Sequence, residues 1–325
     1  MRILLAGTPA VALPSLEALA GSSHELVGAI TRPDRRSGRG RHLEASPVAQ
    51  AAEALGLPVF KPDHPRDRDF LATLRALEPD AVATVAYGAL LPGSALAIPR
   101  YGWINLHFSL LPAWRGAAPV QRAVWAGDEI TGATTFQIVE ALDSGPVYGV
   151  VTYEMPPRAT SGEVLEALAA DGAGLLTTTL DLVASGAARP QPQTGEGLSY
   201  APKVTVEEAQ VDWHAPAIAV DRQIRACTPA PGAWTTFRGQ RLKIGPLAAW
   251  RTPSGKNDPK GCDSRPEPAP GTVVTGKRDV VVKTATGFVT LGRVAPAGRS
   301  WMDAAAWTRG VQGGQPDNDE ERFDA

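Results

Sequence analysis

The sequence predicts an α/β protein in which a doubly wound, Rossmann-like, mostly parallel sheet is followed by a small C-terminal β-barrel of OB-like character. Three observations carry that prediction. Residues 2–150 alternate short apolar runs with segments at helical spacing, the pattern of βαβ units. Residues 190–200 are rich in Pro, Gly and Gln and read as a connector. Beyond them, short apolar runs are separated by Gly-containing turns, as in antiparallel strands. At 325 residues the chain is longer than one typical domain. The expected division is a large N-terminal domain over 1–189, a linker over 190–204, a β-barrel domain over 205–312 and an acidic tail over 313–325.

Each element follows from local pattern. Ile3–Ala6 reads as a buried strand, Gly7-Thr8-Pro9 as a turn, and Leu13–Leu19 as a helix that tolerates Pro14 in its first turn. Leu26–Ile30 is a strand, Pro47–Leu55 a helix closed by Gly56, Val59-Phe60 a short strand and Asp67–Leu77 a helix. Ala81–Val85 and Gly102–Leu106 are strands, Pro119–Trp125 is helical, and Thr134–Val139 and Val147–Tyr153 are strands. Ser161–Ser185 is a long amphipathic helix, with Thr160 or Ser161 as its cap, Glu163 in its first turn and Gly186 past its end. In the β region the strands are Trp234–Phe237, Leu242–Ile244, Gly271–Val274, Val280–Lys283 and Phe288–Leu291, and Thr252–Pro270 is a surface loop.

Composition narrows the class. Hydrophobic residues make up 43% and charged residues 20%, as in soluble globular proteins. The overall net charge of −2 hides an asymmetry. Residues 205–316 hold 15 Lys and Arg against 9 Asp and Glu, a net of +6 that suits either a polyanion partner or ordinary scatter. Two cysteines, Cys227 and Cys262, argue against a disulfide scaffold, and five scattered histidines show no metal-ligand spacing. Pro9, Pro14 and Glu17 interrupt the N-terminal apolar run, so it reads as strand and turn rather than a signal peptide. No run approaches the roughly 18 apolar residues of a membrane helix. A cytoplasmic, monomeric protein with no membrane contact is the default expectation.

The densest chemistry lies between Gly102 and Pro119. Asn105 and His107 stand two residues apart at the end of a short apolar run. In a strand, residues i and i+2 share a face, so an amide donor and an imidazole would occupy one small volume. The amide can stabilise a developing oxyanion and the imidazole can move a proton near neutral pH, which suits acyl or formyl transfer. A lone Asn-x-His is more often a strand end beside a satisfied core histidine. Here it continues into Ser109-Leu110-Leu111-Pro112 and Arg115-Gly116, a loop able to offer backbone groups to a flat polar ligand.

Asn-x-His-x-Ser-Leu-Leu-Pro-x-x-Arg-Gly resembles the signature of the folate-dependent formyltransferases, and Leu142-Asp143-Ser144-Gly145 matches the acidic loop of that pattern. The resemblance implies 10-formyltetrahydrofolate as co-substrate, no metal, and attack of an amine on the formyl carbon. It assigns Asn105 and a protonated His107 to the oxyanion. Asp143 would orient or charge His107, in line with the preference of an imidazole beside a carboxylate for its charged form. Ser109, Leu110, Leu111 and Pro112 would touch the folate. Tyr87, Gly88 and Leu90, within Ala86–Pro92, would form the other wall of its pterin slot. Arg115 would either steer an anionic group or be an ordinary surface residue.

Thr31–His42 carries five arginines, two glycines and one proline. It reads either as a solvated loop or as one that orders on nucleic acid through Arg–phosphate and base-edge contacts. It resembles the insertion of those family members that formylate initiator methionyl-tRNA. That resemblance makes Arg35, Arg36, Arg39 and Arg41 tRNA-binding residues, with Arg39 reading the acceptor stem, and makes the basic β domain a second tRNA contact. The nearest rival is a formyltransferase for a small amine, such as a nucleotide sugar or purine precursor. A non-catalytic nucleic-acid-binding module leaves the Asn/His/Asp spacing as coincidence. A dinucleotide-dependent oxidoreductase lacks its G-x-G-x-x-G turn.

Overall fold

The computed structural model describes residues 1–37, 42–251, 268–276, 279–311 and 322–324. It divides into two compact units, one of Met1–Pro119, Glu129–Met155 and Val164–Pro202, the other of Val120–Asp128, Pro156–Glu163 and Lys203–Ala325. The division is therefore not a single cut in the connector, because residues 120–128 and 156–163 go with the second unit. Hydrogen bonds within that unit explain the assignment. Arg222 donates to the Ala126 carbonyl, Arg122 pairs with Glu208 at 2.9 Å, and the Ser161 hydroxyl lies 2.8 Å from the carbonyls of both Ala226 and Thr228.

The first unit alternates strands and helices: β1 (Arg2–Gly7), α1 (Leu13–Ala20), β2 (Glu25–Ile30), β3 (Arg35–Ser37), β4 (His42–Glu44), α2 (Pro47–Ala54), β5 (Val59–Phe60), α3 (Arg68–Ala76), β6 (Ala81–Val85), α4 (Gly93–Leu96) and β7 (Trp103–His107). After α5 (Pro119–Ala126), whose bulk belongs to the second unit, come β8 (Ile130–Gln137), β9 (Val147–Glu154) and α6 (Ser161–Ala184). Seven strands form one sheet in the order β5-β2-β1-β6-β7-β8-β9. The first five are parallel, and β8 and β9 are antiparallel additions. β1 and β6 are apolar and almost wholly buried, as expected of strands covered on both faces. Leu4, Ile30, Leu74, Val82 and Trp103 anchor the core on one side of the sheet, and the Trp103 indole donates to the Ala95 carbonyl at 2.9 Å.

Helix α6 begins with a reciprocal cap. Thr160 N–H and hydroxyl both donate to the Glu163 carboxylate, and Glu163 N–H returns to the Thr160 hydroxyl. At 24 residues the helix has the length and mean hydropathy of a membrane span, although Glu163, Glu166, Asp171 and Asp181 break it into shorter apolar runs, in line with the sequence. It serves instead as a core helix, with Val164, Leu168, Leu176 and Leu180 fully buried. Gly172 lets it lie on β7, where an added Cβ would come within 2.8 Å of Leu106.

The second unit continues with α7 (Ala217–Ala226), β10 (Trp234–Phe237), β11 (Gln240–Ile244), β12 (Ala249–Arg251), β13 (Val273–Thr275), β14 (Val280–Thr284), β15 (Gly287–Thr290), β16 (Arg293–Pro296), β17 (Met302–Asp303), α8 (Ala304–Val311) and β18 (Phe323–Asp324). The expected antiparallel strands are present as two sheets, β17-β16-β11-β10-β18 and β12-β15-β14-β13. The sequence reading missed α7, β12, β16, β17, α8 and β18. The strands among them are too short to show alternation, and α7 carries charge through its middle. Most of Thr252–Pro270 and of the acidic tail lies outside the described residues.

The Arg-rich segment departs from its reading as a plain loop. β3 and β4 pair antiparallel, with Arg35 opposite Glu44 and Arg36 opposite Leu43. Arg35 and Arg36 are exposed on this ribbon, while Arg39 and Arg41 lie outside the described residues.

Leu74 fills the core completely, whereas Leu90 is 87% exposed. Leu74→Ala should therefore cost about 2–5 kcal/mol of unfolding free energy in a urea titration, and Leu90→Ala should stay within about 0.5 kcal/mol of the parent.

Candidate active site

The site is built on the end of β7. Its sequence, Trp-Ile-Asn-Leu-His, alternates so that Asn105 and His107 share one face, and the register sets Asn105 beside Thr84 of β6 and Phe136 of β8. His107 is only 6% exposed and meets the Phe136 ring edge-on, with centroids 6.3 Å apart. The Asn105 amide is half-buried and has no hydrogen-bond partner among the described residues.

Both ring nitrogens of His107 face oxygen. Nε2 lies 2.9 Å from the Trp114 carbonyl and Nδ1 lies 3.8 Å from Asp143 Oδ2. A carbonyl only accepts, so Nε2 carries the hydrogen and Nδ1 is the basic nitrogen of the neutral ring. Burial lowers the His107 pKa below the ordinary imidazole value of 6.5; Asp143 and the Trp114 carbonyl push the other way and do not overcome it. Burial therefore favours the neutral imidazole, against the pull of the carboxylate toward the charged form.

Two turns hold these partners in place. Asp143 sits at φ +46° and Trp114 at φ +60°, a backbone region that is costly outside glycine. Asp143 Oδ2 accepts from Gly116 N–H at 2.8 Å. Gly116 itself has φ +127°, and an added Cβ there would come within 2.7 Å of the Ala201 carbonyl, so no other residue fits. Trp114 N–H donates to the Ser199 hydroxyl at 2.9 Å, and Arg115 exchanges backbone bonds with Ser199 and Ala201.

The folate-loop residues divide between scaffold and surface. Ser109 is fully buried; its hydroxyl donates to Ala113 O, and its carbonyl accepts from Thr134. Leu111 N–H also donates to the Thr134 hydroxyl. Leu110 and Pro112 are half-buried. The Tyr87 side chain belongs to the core cluster and its carbonyl accepts from Thr8. A Cβ on Gly88 would meet nothing within 4 Å, and Leu90 and Leu142 expose apolar side chains on the loops after β6 and β8.

Sequence reasoning missed Trp114, Ser199 and Gln193. Gln193 donates to the carbonyls of Asp143 and Gly145, both at 2.9 Å, and accepts from Arg115 Nε and Nη2 at 3.1 and 2.6 Å. Arg115 is therefore neither a free anion-steering group nor a loose surface residue. The available signal is the Gln content of 190–200, a composition that equally suits a linker.

Comparison with known proteins shows the family. A formyl transferase family model matches residues 1–180, and a formyl transferase C-terminal domain model matches residues 203–312. The chain belongs to the formyl transferase family. A methionyl-tRNA formyltransferase of Nocardioides sp. is 57% identical over 312 residues, covering 96% of each chain, and one of Thermobifida fusca is 57% identical over 323 residues, covering 99% of each. Those full-length relatives place the chain among the methionyl-tRNA formyltransferases. At the level of fold it is similar to HypX from Aquifex aeolicus in complex with tetrahydrofolic acid (TM-score 0.63, 16% identity, all of this chain and 50% of that one). It is also similar to WlaRD, a sugar 3N-formyl transferase (TM-score 0.64, 12% identity, 92% of this chain and 99% of that one).

The depressed His107 pKa fixes the sign of two pH effects. The unfolded chain takes up a proton near pH 6.5 that the folded chain resists, so this group's contribution to stability falls as pH drops below 6.5. In an NMR titration the His107 imidazole should charge below pH 6.5. In Asp143→Asn the transition should move lower still, because the carboxylate is the main group that raises it.

Proposed function

We propose that this chain transfers the formyl group of 10-formyltetrahydrofolate to the α-amine of methionine on initiator tRNA, giving N-formylmethionyl-tRNA for translation initiation. The observation that carries the reading is the full-length similarity to methionyl-tRNA formyltransferases, which runs through both matched segments. A small-amine acceptor has weaker support, since the likeness to a sugar formyl transferase is one of fold at 12% identity. A cytoplasmic address goes with a tRNA substrate.

The folate supplies an activated formyl group on a flat ring with polar edges. The residues present suit such a group. The Asn105 amide has no protein partner among the described residues, Gly88 leaves open space, and Leu90 and Leu142 offer exposed apolar contacts. Asn105 donates its N–H to the formyl oxygen, where negative charge grows as the amine attacks. His107, neutral before attack, accepts the proton of the attacking amine on Nδ1 and returns it to the folate nitrogen as the formyl C–N bond breaks, so that the formyl group stays on the amine and tetrahydrofolate leaves. Asp143 stabilises the imidazolium so formed from 3.8 Å, while Nε2 stays bonded to the Trp114 carbonyl. A buried charge forms only transiently, next to a fixed countercharge.

Arg35, Arg36, Arg39 and Arg41 are assigned to the tRNA. Arg35 and Arg36 project from a ribbon whose base is tied down, since Asp34 pairs with Lys61 at 2.8 Å and Arg32 donates to the Asp63 carbonyl. In the second unit, Arg238, Arg241 and Arg299 surround one pocket with Trp307 and offer a further phosphate contact.

Formylation should be measured with initiator and elongator methionyl-tRNAs side by side, and only the initiator should react. His107→Ala and Asp143→Ala should each lower the rate by about 10²–10⁴-fold with tRNA affinity nearly intact. Loss of tRNA binding in step with activity would remove the catalytic assignment. Arg39→Ala should raise KM for the initiator and blunt rejection of the elongator; unchanged discrimination would show that this arginine does not read the stem.

A further inference from the structure

The connector between the two matched segments is stitched to both partners of His107. Gln193 uses its full hydrogen-bonding capacity: two N–H bonds to the carbonyls of Asp143 and Gly145, and two acceptor sites on the Arg115 guanidinium. Its backbone neighbour Gln191 bridges to Val147 in both directions at 2.8 Å, which anchors the start of the stretch to β9. Six residues beyond Gln193, the Ser199 hydroxyl accepts from Trp114 N–H, whose carbonyl holds His107 Nε2. Tyr200 pairs with Arg115 in a parallel bridge. One end of the connector thus fixes the residue that faces Nδ1, and the other fixes the residue that faces Nε2.

Both held residues sit in left-handed backbone conformations, at φ +46° and φ +60°, which the chain alone disfavours. Something outside each turn has to over-determine it, and the connector bonds are the visible means. We infer that Gln193 is a positioning residue: it sets the distance between Asp143 and His107, and Ser199 does the same for Trp114. The connector is then a strap of the catalytic pair and not only a tether. Gln193 touches no reacting atom and acts through Asp143. The inference rests on the catalytic reading of His107 and Asp143 given above.

The test is steady-state formylation across pH with Gln193→Ala and the near-isosteric Gln193→Glu. Gln193→Glu keeps the acceptor for Arg115 and loses both donors to the Asp143 turn. Misplacing a catalytic group by about 1 Å can cost about 100-fold. Both variants should therefore lose kcat on that scale while KM for folate and for tRNA stays close to the parent. The acid limb of the pH profile should move to lower pH, as in Asp143→Asn, because a displaced carboxylate no longer raises the His107 pKa. In an Asp143→Asn background, adding Gln193→Ala should cost little more, since its route of action is already gone. A rise in KM with kcat and the acid limb unchanged would overturn the inference, as would a loss that multiplies fully in the double variant. Equal melting temperatures of Gln193→Glu and parent separate positioning from misfolding. If the parent chain formylates nothing, the catalytic reading itself has failed; if the parent formylates and the Gln193 variants match it, only the strap is lost.

Discussion

A buried imidazole has two ring nitrogens to satisfy, and the loop structure of the first unit follows from how His107 satisfies them. β7 carries the ring into a nearly dry position at the end of a mostly parallel sheet. There a charged ring costs more than a neutral one, so burial lowers its pKa. A carbonyl at Nε2 fixes the tautomer, and a carboxylate at Nδ1 stands ready to offset a proton when one arrives. The carboxylate stands 3.8 Å away, beyond hydrogen-bonding distance, and its charge pulls the His107 pKa up against the burial that lowers it.

Keeping two partners in place around one ring requires turns that the backbone does not favour. Trp114 and Asp143 both adopt left-handed conformations, and Gly116 occupies the point where a side chain would strike Ala201. The compensating bonds come from residues distant in sequence: Gln193 lies 50 residues from Asp143, and Ser199 lies 85 from Trp114. Strain stored near a reacting centre and offset by remote contacts is a common arrangement at functional sites. It makes the geometry of the pair a property of the whole unit. The helix behind it contributes too, because Gly172 lets α6 lie close against Leu106 of β7.

The arginine-bearing elements show a different economy. His107 is buried with oxygen at both ring nitrogens, whereas Arg35 and Arg36 stand exposed on a two-stranded ribbon with an anchored base. Exposed guanidinium groups suit a polyanion, whose affinity comes from counterion release and tolerates adjustment on contact. The antiparallel second unit adds exposed arginines stacked on aromatic rings, as the Arg241 guanidinium lies over Trp234 at 4.1 Å.

Sequence by itself determined the alternation of strands and helices, the two-part organisation and the motif of Asn105, His107 and Asp143. Those features are local: a period of two or of 3.6, a cap at Thr160, a fixed spacing after β7. The short strands of the second unit carried no period, and the pairing of β3 with β4 was hidden by a composition that reads as loop. Only the tertiary structure showed that His107 is buried, because proximity of a carboxylate is visible in a motif but burial is not, and burial is the larger of the effects on its pKa. Only the structure moved the Tyr87 ring into the core, gave the Arg115 guanidinium to Gln193 and turned residues 191–201 into part of the site's frame. Each of these depends on which distant segments share a volume, and no local pattern of residues encodes that.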